Sequence, residues 1–226
     1  MTDKSARLRL DATVRFARNP AERPGRRSCT GWYQSIKASD GLPYESLLER
    51  DALLLLDFDP HVAHFAVQPE TFVWTDAGRR RRYTPDIRLE MADGQIIYRQ
   101  VKLATRLAAD PTLGGRLSAI EAECAARGAR HEMWLDTDIR RQPRLSNARR
   151  LRAAVAVLAA ENLHAIRTIL TLLPFPSPLG VAAAALGGQA VHTNVVLGLV
   201  AIGDLVADLD RPFDEHAVLM PGGNGR

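Results

Sequence analysis

The stretch YTPDIRLEMADGQIIYRQVKLAT, from Tyr83 to Thr105, narrows most what this chain can fold into. Two runs rich in β-branched and aromatic residues flank Asp93-Gly94, a pair that favours a tight strand reversal because glycine reaches positive φ without strain. In a strand, residues two apart share a face, and residues opposite one another across a ladder share it too. If Met91 and Gln95 flank a three-residue loop, counting back places Asp86 opposite Gln100. Asp86, Gln100 and Lys102 then meet on one patch, while Val101 points into the core. A slip of one residue would separate them.

The segments around this hairpin set the expected organisation. Residues 1–42 are basic and rich in turn formers, which predicts an extended N-terminal arm. Pro43 is expected at the first position of a helix running to Asp59-Pro60, with its leucine run buried nearly all round. Glu45 and Glu49 then stand one turn apart on that helix. Strands are predicted over 61–68, 70–74, 82–90, 95–103 and 131–135, with a helix over 113–127, so that 43–138 forms an α/β layer domain. Beyond Pro143 the chain becomes alanine-rich. Helices over 146–163, 163–173, 179–186 and 193–202 precede a two-stranded wing at 204–210 and 215–220. Residues 139–226 therefore read as a small helical, winged-helix-like domain. Helix 193–202 carries no Arg or Lys, and Val195, Val196, Leu199 and Val200 are expected to pack in a core.

Charge points to a polyanionic partner. The chain of 226 residues carries a net charge of +4, a modest excess. Its distribution is uneven. Nine Lys and Arg residues precede Tyr44 against four acids. Arg79, Arg80, Arg81 and Arg82 stand just before the Pro-Asp pair. A third group comprises Arg140, Arg141, Arg144, Arg149, Arg150 and Arg152. Such clusters suit phosphate contacts, with a solvated surface as the alternative. Cys29 and Cys124 make neither a zinc site nor a disulfide framework. With no apolar leader, and an apolar stretch at 179–209 broken by glycines and polar residues, the expected setting is the cytoplasm. The six histidines show no ligand spacing. Trp32, Trp74 and Trp134 are expected in or at the edge of a core. Asp57 and Asp59 read as solvated residues or stop signals near the end of the helix.

The hairpin carries the groups that phosphodiester hydrolysis needs. A hard divalent cation such as Mg²⁺ takes oxygen donors and keeps several waters, so few protein ligands suffice. Asp86 offers a carboxylate oxygen, Gln100 its amide oxygen and Val101 its backbone carbonyl. Lys102 offers a positive charge for an attacking water or for the phosphorus centre. Glu49, reaching across from the helix, offers the second carboxylate. Half-exposed strands carry the same residue types for no chemical reason, so the residues alone leave a structural hairpin and a metal-dependent nuclease both open.

The ordered set YESLLERDALLLLDFDP, VQP, RRYTPD and QVK, preceded by GRRSCTGWYQSIKASDGLP and followed by HEMWLDTDI, resembles the TnsA-type transposon endonucleases over nearly the whole chain from about residue 26. The resemblance implies a restriction-endonuclease-like sheet of the PD-(D/E)-x-K kind, with glutamine in place of the second acid, followed by a winged-helix-like part. It places the family's active-site acid on Glu49, with Glu45 as the fallback, its aspartate on Asp86, and its Gln and Lys on Gln100 and Lys102. It also implies Mg²⁺, with Mn²⁺ as a substitute, and nicking of the 5′ strands at transposon ends in double-stranded DNA. The implied partners are an integrase-type transposase subunit and an AAA+ regulator ATPase. A stand-alone restriction or repair nuclease, or a non-catalytic DNA-binding or assembly factor, would carry much of the same pattern.

Overall fold

The computed structural model describes residues 29–38, 40–76, 78–109 and 113–223. The basic arm expected over 1–42 thus lies outside the described residues up to position 28. From there the chain forms a hairpin that the sequence did not suggest, β1 (Gly31–Gln34) and β2 (Gly41–Tyr44), paired antiparallel. Pro43 belongs to β2 and does not open a helix. A proline can sit there because a short edge strand leaves its missing N–H without a required partner. Alternation along β1 buries Tyr33 and turns Trp32 outward, 62% exposed, so that Trp32 is not the core residue it was expected to be.

Helix α1 (Leu47–Asp57) starts four residues after that proline. Ser46 is its N-cap, accepting a hydrogen bond from the Glu49 N–H at 3.2 Å. The leucine run is buried on every side, with Leu53, Leu55 and Leu56 each at most 2% exposed. The helix ends on a polar knot. Asp57 is buried and accepts from Tyr33 Oη, from Ser35 Oγ and from the Ile36 N–H. Lys37 Nζ donates to the carbonyls of Leu56, Asp59 and Val62, satisfying groups that a helix C-terminus leaves open. Burial pushes the Tyr33 phenol up and the Lys37 ammonium down. Asp57 is therefore a structural anchor and not a solvated stop signal, because the β1–β2 entry folds back over it.

The sheet follows. Strands β3 (Val62–Val67), β4 (Phe72–Asp76), β5 (Arg79–Tyr83), β6 (Ile87–Met91) and β7 (Ile96–Lys102) lead through α2 (Ala104–Ala108) and α3 (Leu113–Ala125) to β8 (Ala129–Leu135) and the short α4 (Asp136–Ile139). The four-stranded sheet runs β3-β6-β7-β8, antiparallel except for the parallel pair β7–β8. The strand expected over 82–90 is in fact two. Thr84-Pro85-Asp86 interrupts it, and β5 instead pairs with β4 as a separate ribbon. Proline's missing donor suits such a break. The Asp93-Gly94 turn is as expected, with Gly94 at φ +85 and the Met91 N–H donating to the Gln95 carbonyl at 2.9 Å.

The two faces of the sheet are covered differently. Ile87, Leu89 and Ile97 belong to the main core with α1. On the other face Tyr98, Phe72, Ile120, Cys124 and Ala129 form a second, smaller core, with Ile120 and Cys124 contributed by α3. The main core continues without interruption into the C-terminal helices α5 (Arg144–Leu158), α6 (Leu163–Leu170), α7 (Leu179–Ala185) and α8 (Ala190–Ala201). Strands β9 (Ser177–Pro178), β10 (Leu205–Ala207) and β11 (Val218–Pro221) form an antiparallel sheet in the order β10-β11-β9. Helix α8 is buried from Val195 to Leu199, whereas Val200 is half-buried. Among the described residues no single helix is long and apolar enough to cross a membrane.

The α5–α8 crossing depends on one glycine. A Cβ on Gly198 would come within 2.7 Å of Leu158 Cβ and 3.0 Å of the Ala154 carbonyl oxygen, one of them backbone and neither able to retreat freely. Gly198→Ala is expected to destabilise the protein by about 1–3 kcal/mol despite alanine's better helix propensity. The shift of the urea midpoint measures it.

Candidate functional site

Asp86 is the centre of the candidate site. The predicted register holds through Ile87↔Arg99, but Asp86 itself leaves the ladder. Its N–H donates to the Arg99 carbonyl at 3.1 Å, and its own carbonyl accepts from the Gln68 N–H at 2.8 Å. The side chain then bends along β7, where Oδ2 accepts from the Val101 N–H at 2.8 Å and from the Gln100 side-chain amide. Within a strand residue the N–H and C=O point to the same side, so the Val101 carbonyl also faces Asp86.

Glu49 arrives from α1 by a local device. Ser46 and Glu49 form a capping box: Glu49 Oε2 accepts from the Glu45 N–H at 2.8 Å, and Oε1 accepts from Ser46 Oγ at 3.0 Å. The carboxylate is thus fixed in orientation, yet keeps lone pairs for another ligand. Glu45 is not on the helix. It precedes the cap, and its Oε1 accepts from Gln68 Nε2 at 3.0 Å.

These carboxylates repel one another in a poorly solvated place. Burial, followed by the charge of Glu49, raises Asp86 to about 7; Glu45 adds to the effect, while the Val101 hydrogen bond and the Lys102 charge oppose it. Burial also raises Glu49, against its own hydrogen bonds and with the charge of Glu45. The structure thus brings Glu49, Asp86, Gln100, Val101 and Lys102 to one end of the sheet, where β6 begins and β7 ends near the N-terminus of α1. Two residues of this edge escaped the sequence reading. Ser46 was legible in the spacing Ser46-x-x-Glu49. Gln68 lay within the VQP motif, but nothing local to Val67-Gln68-Pro69 assigned it a role.

The edge has the donors that a hard cation takes: carboxylate oxygens of Asp86 and Glu49, the Gln100 amide oxygen and the Val101 carbonyl. Among the described residues no cluster of three or more His, Cys, Asp or Glu side chains is arranged to hold a metal ion. The set here has two acids plus neutral oxygens, which suits an ion that keeps much of its water. The fit is electrostatic: a buried carboxylate raised by two neighbouring acids gains most from a nearby positive charge. Presenting the Gln100 oxygen would require its amide to turn over, since its Nε2 now donates to Asp86.

The arginines divide by surroundings. Arg79, Arg80, Arg81 and Arg82 are all exposed on β5. Arg80 and Arg82 lie opposite Thr75 and exposed Val73, so they share the ribbon's free face. The other face packs Phe72 and Tyr83 inward, and there Arg81 pairs with Asp76 at 3.3 Å. The group near 140–152 is not one basic helix, because Arg140 closes α4 and α5 begins at Arg144. Arg140 and Arg149, with Arg50, face the buried carboxylate of Asp51. Arg141 and Arg144 face Asp210, and Arg144 also faces Asp59. These side chains are partly neutralised within the fold.

No protein-family model matches this chain, and no curated protein matches it either.

Asp86 gives a pH signature. Its carboxyl takes up a proton in the folded state below about pH 7, whereas an unfolded aspartate stays ionised down to about pH 4. The group therefore costs stability above pH 7, and that cost disappears as pH falls from 7 towards 4. Asp86→Asn is expected to raise the melting temperature at pH 8, with an upper bound on the order of 4 kcal/mol, and to have little effect at pH 4. Paired thermal melts across that range measure the difference.

Proposed function

We propose that this chain is a metal-dependent DNA endonuclease: the 5′-strand-nicking subunit of a cut-and-paste transposase of the TnsA type. In this proposal the sheet with α1 is a restriction-endonuclease-like catalytic unit, and β9 to β11 with α7 and α8 form a winged-helix-like part. The observation that carries it is the convergence of Glu49, Asp86, Gln100, Val101 and Lys102 at one end of the sheet, with Asp86 buried among acids. The ordered motifs quoted from the sequence supply the family.

Glu49, Asp86, the Gln100 amide oxygen and the Val101 carbonyl would hold Mg²⁺ or Mn²⁺. When bound, the cation supplies charge neutralisation at the phosphate and lowers the pKa of an attacking water. The protein's own part is placement. The capping box fixes Glu49, and the Val101 N–H fixes Asp86, so neither carboxylate must be ordered at the moment of reaction. Lys102 brings a compact positive charge to the same edge, where it can orient the water or stabilise the pentacoordinate phosphorus. Arg80 and Arg82, on the strand leading into Asp86, are suited to the phosphates of double-stranded DNA, as are Arg79 and Arg81 at the ribbon's margin. Arg140, Arg141, Arg144 and Arg149 are weaker candidates because acids of the fold already face them.

The buried run of α8 matches a chain that leaves sequence reading to others. Helices that read guanine present Arg or Lys to base edges, and here Val195 to Leu199 are in the core. The proposed partners are an integrase-type transposase, which cuts and joins the 3′ ends, and an AAA+ ATPase that regulates both.

Strand-specific nicking of labelled transposon ends tests the proposal. With the partner transposase and Mg²⁺, Lys102→Ala and Asp86→Ala are expected to lower 5′-strand cleavage by at least about a hundredfold. Unchanged 5′ cleavage by either variant refutes the assigned chemistry, and robust cutting without any partner points to a stand-alone nuclease. In duplex binding, Arg80→Ala with Arg82→Ala should flatten the slope of log affinity against log salt by about two. Titrations at several salt concentrations read that slope.

A further inference from the structure

Position 68 combines features that the fold alone does not call for. Gln68 is the one non-glycine residue at positive φ among the described residues, at φ +43. A glutamine there is strained, since the left-handed region crowds any Cβ. The residue is 8% exposed. Its backbone N–H donates to the Asp86 carbonyl at 2.8 Å, and its Nε2 donates to Glu45 Oε1 at 3.0 Å. It therefore ties together two of the acids that surround the candidate site. The remaining polar atom, Oε1, is buried and has no hydrogen-bond partner among the described residues. Buried acceptors are nearly always paired, so such an atom calls for a donor from outside the fold.

The chemistry of that donor is constrained. Nε2 is committed to a carboxylate, which fixes which end of the amide is open. The open end is an acceptor only. A divalent cation held among Glu49, Asp86 and Gln100 keeps several waters, and waters on a cation are strong donors that need acceptors around them. We propose that Gln68 is a positioning residue of this site, holding Glu45 in place through its amide N–H and accepting a hydrogen bond from a cation-bound water through its carbonyl oxygen. This rests on the reading of the acidic edge as a divalent-cation site.

The test uses the full chain and Mg²⁺ itself. Melting temperature is followed against Mg²⁺ concentration for the wild type, Gln68→Met, Gln68→Gly and Gln68→Glu. Met removes the orphaned carbonyl at similar volume, and Gly removes the backbone strain, so both are expected to melt at or above the wild-type temperature without Mg²⁺. Both should nonetheless need roughly tenfold more Mg²⁺ for the half-maximal rise. The Mg²⁺ concentration giving half-maximal nicking should move by the same factor, with the rate at saturating Mg²⁺ changed less. Gln68→Glu replaces the donor to Glu45 with a further negative charge and should melt lower without Mg²⁺, with a larger rise once it is added. A merely structural role would lower the melting temperature of all three and leave the half-maximal Mg²⁺ unchanged, which overturns the proposal. If Gln68→Met does not fold, Gln68→Gly gives the same comparison. A wild-type melt unmoved by Mg²⁺ removes the cation site itself, and this proposal with it. A wild-type response matched by Gln68→Met removes the role of Gln68 alone.

Discussion

The rest of the site depends on the mutual repulsion of carboxylates brought together out of water. Asp86 is raised to about 7 by burial and by Glu49 and Glu45, with one hydrogen bond and one lysine in opposition. A fold seeking only stability would separate these groups or pair each with an arginine, because an uncompensated buried charge is among the costlier features a protein can carry. Basic residues are plentiful in this chain, yet its arginines face Asp51, Asp76, Asp204 and Asp210 elsewhere. At Asp86 the opposing charge is that of Lys102.

That repulsion is tolerated because the framework around it is over-determined. Glu49 is tied to the first turn of a helix whose run Leu53–Leu56 is buried. Asp86 is held by backbone groups of Gln68, just past β3, and of β7 on either side. Neither residue can relax by swinging into solvent without breaking a capping box or a sheet edge. Strain at an active edge persists where the surroundings leave no alternative, and the left-handed backbone of Gln68 belongs to the same pattern.

Much of this geometry could be read in advance, and the failures have identifiable causes. Asp93-Gly94 set the hairpin register because its turn type allows few loop lengths, and that register put Asp86 near Gln100. The departure of Asp86 from the ladder was invisible, since it depends on Pro85 and on the neighbouring strand β3. The start of α1 was misplaced because Pro43 outweighed Ser46-x-x-Glu49, although the latter names both cap partners. Strands β1 and β2 were missed because four residues including glycine or proline carry no periodicity. Asp57 looked solvated because its partners, Tyr33 and Ser35, lie more than twenty residues upstream. The arginines looked alike because spacing does not report which acids face them.

The uninterrupted core has a consequence for how such a chain can be divided. Leucines of α1, the helix that delivers Glu49, share one apolar interior with α5 and α8, and Gly198 lets those two helices close on each other. A break between the sheet and the later helices would leave the sheet half with a raw, greasy flank. The two halves share one interior, so neither can be cut away without baring apolar surface on the other.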